Sequence, residues 1–152
     1  MSMEEELAKR LEGFNGRQAK VGWFESARYT ADGQDISVAE VAVIQEFGAP
    51  GANIPPRPFI RPTFNAQKEK WTAHIEKGVK AVMRGAITAD EALDTVGSIA
   101  AEDIKMAIRD LTTPELAEST KEQRRRDGFT DEPLNRTGHM IAACNRIVGS
   151  VE

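Results

Sequence analysis

The strongest constraint on this fold is a proline run. Pro50, Pro55, Pro56, Pro58 and Pro62 fall within one short stretch. Each proline fixes its own φ, lacks an amide hydrogen and pushes the preceding residue away from helical values. Most of the stretch must therefore be a stiff, extended connection. On its N-terminal side, Val38, Val41, Ile44 and Phe47 recur at helical spacing behind Ser37 and Glu40, which stand at the spacing of a capping box. Val43 widens the apolar face, so this helix is expected to be well covered. Gly48 supplies the left-handed conformation that ends it, and Pro62 suits the first turn of the next helix. Arg57 and Arg61 lie along the connection with Ile54, Phe59 and Ile60. Three readings are open: a rigid loop with its aromatic ring packed inward and its arginines in solvent, planar donors fixed toward a partner subunit's carboxylates or carbonyls, or a contact to phosphate or nucleic acid.

The remaining elements follow from local chemistry. Met3 to Leu11 reads as a short helix with acidic residues in its first turn, and Ala19 to Phe24 as a strand. Residues 25–36 read as a loop or hairpin with Asp32-Gly33 as its tight turn, where Tyr29 would gain from a partner surface. From Pro62 a helix continues to Gly85, with Phe64, Trp71, Ile75, Val79 and Val82 as its inward face. Thr88 and Glu91 repeat the capping-box spacing ahead of a second long helix. Its apolar stripe runs from Ala92 to Leu111, with small residues that let another element approach closely. The end of the chain predicts a brief helical turn and a strand over Arg146 to Val151, which would pair with Ala19 to Phe24 in one sheet.

A chain of 152 residues supports one sizeable core, so a single domain over 1–152 is expected, with 25–36 and 112–133 as mobile or partner-ordered loops. The fold class is α+β: a small, mostly antiparallel sheet packed against two long helices, with additional short helices. A net charge of -4 argues against general nucleic-acid binding. One basic run departs from that balance, from Lys121 through Arg124, Arg125 and Arg126. Its readings are a solvated helical face, intersubunit ion pairs, or contact with DNA. The start MSMEEELAKR has no apolar signal core and no stretch has the apolar length of a membrane span, so folding in a cytoplasm is expected.

Chemistry-bearing patterns are sparse. His74 and His139 are the two histidines, neither at metal-protease spacing, and Cys144 is the single cysteine. Cys144 and His139 have no recognisable third residue or oxyanion turn. No catalytic, cofactor-binding or metal-ligating residue is assigned, and a non-enzymatic protein is expected.

Phe47-Gly48 followed by Ile54-Pro55-Pro56-Arg57-Pro58-Phe59-Ile60-Arg61-Pro62 resembles the signature of tail-completion and neck proteins of tailed bacteriophages and prophages. Leu116, Ser119-Thr120, Arg124 to Arg126, Pro133-Leu134 and Thr137-Gly138 are similar, in the same order, to that family's segment rich in serine and threonine, its basic helix and its proline-leucine stretch ending in Thr-Gly. The chain has Asn135 and Arg136 where the family usually has an apolar residue and an aspartate. The resemblance implies a structural virion protein, assembled in the bacterial host cytoplasm, that oligomerises at the head-tail junction or tail end. It implies a homo-oligomeric ring, with six subunits as one form, and neck, adaptor or tail-tube proteins as partners. DNA would be met only inside an assembled channel, and no membrane is involved. Tyr29, Phe47, Arg57, Phe59, Arg61, Lys121, Arg124, Arg125 and Arg126 are the interface candidates. The alternative is a nucleic-acid-binding or chaperone-like assembly factor that uses Arg124 to Arg126.

Overall fold

A computed structural model describes residues 1–30, 33–134, 136 and 138–152. In chain order the elements are α1 (Met3–Glu12), β1 (Arg17–Gly22), β2 (Arg28–Tyr29), β3 (Ile36–Ser37), α2 (Val38–Phe47), a 3-10 turn (Pro50–Ala52), α3 (Ile60–Met83), α4 (Ala89–Asp110), α5 (Glu118–Arg126), α6 (His139–Ala143) and β4 (Asn145–Ser150). The class is α+β, with modest antiparallel sheet and two long helices, α3 and α4. The chain forms two compact units, each assembled from separate segments. The first holds Met1–Val21, Ala66–Glu102 and Asn145–Glu152; the second holds Gly22–Asn65 and Asp103–Cys144.

In the first unit, β1 pairs with β4; β1 begins and ends two residues before the strand expected over Ala19 to Phe24. The Val151 amide donates to the Gly16 carbonyl, which sets the start of β1 beside the end of β4 and makes the pair antiparallel. Helix α4 lies close on this sheet because Gly97 has no side chain; a Cβ there would stand 3.0 Å from Arg146 and 3.6 Å from Ala19. Gly78 of α3 meets Ala92 of α4 in the same way, with 3.0 Å between the two Cβ positions. The small residues thus set the helix and sheet spacing. Two bidentate pairs fasten α4 to the strands: Arg17 on Asp90, and Arg146 on Asp94. Ser2 and Glu5 form a capping box on α1, and Thr88 and Glu91 form the predicted one on α4.

The second unit is built on α2. Strands β2 and β3 form a short antiparallel hairpin, and the Ser37–Glu40 capping box starts α2 directly after it. The proposed turn at Asp32-Gly33 lies outside the described residues at Asp32. Gly48 ends α2 with φ at 75°, and the chain turns back through an Ala49–Ile54 bridge. A Cβ on Gly48 would sit 2.8 Å from both the Ile54 oxygen and the Pro56 nitrogen. Gly48→Ala is therefore expected to cost about 2 kcal/mol from left-handed strain and clash together, measured by urea unfolding.

Two predicted faces need correction. Helix α2 is not covered around its apolar side: Val43 is 56% and Phe47 59% exposed, while Val38, Ala42 and Glu46 are buried. The inward stripe follows positions 38, 42 and 46, because a glutamate with enough hydrogen bonds can be buried. On α3, Phe64 and Ile75 are exposed, whereas Val82 is buried and Trp71 and Val79 are half-buried as expected; Thr63 is also buried and His74 half-buried. Thr63 can enter the interior because its hydroxyl donates to the Phe59 carbonyl one turn back. Within residues 112–133 the basic run lies on helix α5.

Candidate interface site

The segment from Gly48 to Pro62 is held by one buried carboxylate. Glu46, 2% exposed, ends the inward stripe of α2 and points at the start of α3. Its Oε2 accepts the Phe59 amide at 2.7 Å and the Ile60 amide at 2.9 Å; its Oε1 accepts the Arg61 amide at 3.1 Å and Arg61 Nε at 2.9 Å. A helix leaves four amides without intrahelical acceptors at its N-terminus, and for α3 these belong to Phe59, Ile60, Arg61 and Pro62. Glu46 takes the first three, and proline has no amide hydrogen to satisfy. A negative charge at that end also suits the helix dipole. Burial pushes the Glu46 carboxyl up, yet the amides of Ile60 and Phe59, the Arg61 guanidinium and the Arg61 amide outweigh it and hold the group below its ordinary range.

Arg57 is an interior residue, 4% exposed. It donates through Nε to the Pro114 carbonyl at 2.8 Å and through Nη2 to the Glu115 carbonyl at 3.1 Å. Phe59, 1% exposed, packs edge-on to Trp23 at 5.8 Å. Both residues are directed into their own unit and are not surface groups. Arg61 differs, since its side chain remains more than half exposed while it binds Glu46. Its guanidinium also lies 4.5 Å from the centroid of the Phe47 ring.

Phe47, Arg61 and Val43 therefore belong to one exposed surface. Val43 and Phe47 are neighbours one turn apart on α2, and Phe64, 54% exposed, follows Arg61 by three residues on α3. Val43 and Phe64 complete a patch that helical periodicity assigned to the core; an apolar residue beside an arginine already anchored at the proline run was the available signal. The backbone beneath the patch is rigid, because Glu46 and the prolines fix the α2–α3 connection.

The basic run is largely committed within the chain. Lys121 bonds Glu115, Arg125 binds Asp131 at 2.9 Å, and Arg124 donates to the carbonyls of Thr130, Glu132 and Pro133. Arg126 is exposed. Tyr29 lies edge-on to His139 at 4.9 Å, and the His139 Nε2–H donates to the Arg28 carbonyl. Burial pushes the Tyr29 phenol up. Among the described residues, no group of three or more His, Cys, Asp or Glu side chains is placed to hold a metal ion. Nor is any of their helices long and apolar enough to cross a membrane. Compared with known proteins, the chain matches no family model, no curated protein and no solved structure.

Proposed function

We propose that this chain is a non-enzymatic structural subunit of a phage virion, of the tail-completion and neck type, that closes into a ring at the head-tail junction or tail end. The observation that carries this reading is the exposed surface of Val43, Phe47 and Phe64 around Arg61, set on a connection that Glu46 and the prolines make rigid. Large apolar residues around an arginine are the composition of an interface core, and a fixed backbone reduces the ordering cost of docking. A heterologous contact of this patch with a different face of the next copy generates a closed ring when the rotation closes. The virion setting comes from the resemblance carried by Phe47-Gly48 and the proline-arginine run, and places assembly in the host cytoplasm. A nucleic-acid-binding assembly factor has less support, since Lys121, Arg124 and Arg125 bond acceptors of their own chain.

Native mass spectrometry and light scattering test the proposal, alone and with neck or tail-tube proteins. The unaltered chain should form a closed oligomer, whereas Phe47→Glu combined with Phe64→Glu should be monomeric with an unchanged far-ultraviolet spectrum. An unaltered chain that stays monomeric under both conditions, or a double variant that assembles equally well, sinks the assignment.

A further inference from the structure

A second feature of the α2 unit lies away from the Phe47 patch. A cavity of about 350 Å³ opens among β2, β3, α2 and the segment leading into α6. Ile36, Val41, Phe129, Leu134 and Met140 make its walls mostly apolar. That volume is at the small end of ligand pockets and suits one large amino-acid residue.

Tyr29, Gln34, Gln45, Arg124, Arg136 and His139 break the apolar lining, and three of them, Gln45, Arg124 and Arg136, bear on the chemistry of a ligand. Gln45 presents a buried Oε1 with no hydrogen-bond partner, an acceptor that calls for an N–H or O–H donor. Arg124 reaches the cavity with bonds to neutral carbonyls of Thr130, Glu132 and Pro133. The nearby carboxylate of Asp131 is held by Arg125. Arg136 lies over the Phe129 ring at 4.9 Å, with Asp127 at 3.9 Å and half of its side chain in solvent. Burial above all, and then the charges of Arg136 and Arg57, hold the Arg124 guanidinium below its ordinary range against the opposing charge of Asp131. The cavity thus offers an apolar slot, an acceptor seeking a donor, and guanidinium charge short of carboxylate.

We infer that this cavity binds the C-terminal residue of a partner polypeptide, one with a large apolar side chain. The side chain fills the slot, the terminal carboxylate meets Arg136 in the field of Arg124, and the residue's amide donates to Gln45 Oε1. A bare anion would leave the apolar walls wet, and an uncharged apolar group would leave the guanidinium charge uncompensated. A C-terminal residue carries all three complements on one small unit.

N-acetyl-L-tryptophan is the probe, titrated into the full chain by nuclear magnetic resonance beside its uncharged amide, N-acetyl-L-tryptophanamide, and inorganic phosphate. The acid should bind at least about tenfold more tightly than the amide, as one charge-assisted contact allows. Arg136→Gln should abolish that difference while amide binding persists. Equal binding of acid and amide would mean a merely apolar slot, and phosphate binding as tight as the acid would mean a simple anion site. Either result overturns the inference, as does the absence of saturable binding at millimolar probe. The acid-to-amide comparison on the unaltered chain decides the matter even if the variant folds poorly.

Discussion

Glu46→Ala is expected to lower the unfolding free energy by about 3 to 5 kcal/mol, measured by urea denaturation with far-ultraviolet circular dichroism. The loss has a specific origin. Alanine strands the Phe59 and Ile60 amides, which are buried and part-buried, and removes the charge that complements the start of α3. Glu46→Gln should cost about half as much, because one side-chain oxygen still accepts while the amide nitrogen faces donors. A loss below about 1 kcal/mol for the alanine variant would show that α3 is capped by something other than this carboxylate.

The same group gives the stability a pH dependence of definite sign. The folded-state pKa of Glu46 lies below the ordinary glutamate value of the unfolded chain. Its contribution is therefore complete above the unfolded value and is lost as pH falls through the folded one. The stability gap between the parent chain and Glu46→Gln should narrow across that acidic window and stay constant from there up to neutrality. A gap that widened on acidification would contradict the assignment.

What was legible in the sequence is what local chemistry decides. The capping pairs Ser37–Glu40 and Thr88–Glu91 lie within one turn, so residue type and spacing suffice to place both helix starts. The strands at the two ends carry enough apolar sequence to be read, although their pairing is remote. Glu46 was not legible, because its partners lie across the proline run and periodicity counts a glutamate as outward-facing. Its alignment with Val38 and Ala42, together with a proline early in the next helix, was the only trace. Helix α2 is apolar on adjoining faces, so spacing alone could not say that Val43 and Phe47 would be the exposed ones. Nor could composition separate Arg124, folded back on carbonyls, from the exposed Arg126. The cavity was invisible for a similar reason, since its walls come from sequence-distant elements that meet only in the fold.

Phe59→Ala is expected to cost about 3 to 5 kcal/mol, the range for truncating a fully buried phenylalanine. The site has little freedom to collapse into the space left behind. The Phe59 amide is pinned by Glu46, and its neighbour Pro58 restricts the backbone. On the far side, Trp23 meets the ring edge-on and is itself fixed by donation from Nε1 to the Met140 carbonyl at 2.7 Å. Loss of the ring should therefore leave a cavity beside the indole, lower the urea midpoint and shift Trp23 emission to longer wavelength. Phe59→Leu should recover most of the loss, because burial matters more here than aromatic character. Glu46 and Phe59 act on the same few residues of backbone, so their effects should not add. The double alanine variant should fall short of the summed losses by about 1 kcal/mol or more, since an unlatched helix start has already released part of the core that Phe59 fills. Additivity within about 0.3 kcal/mol would instead separate the cap from the core and make the carboxylate latch a local feature of α3.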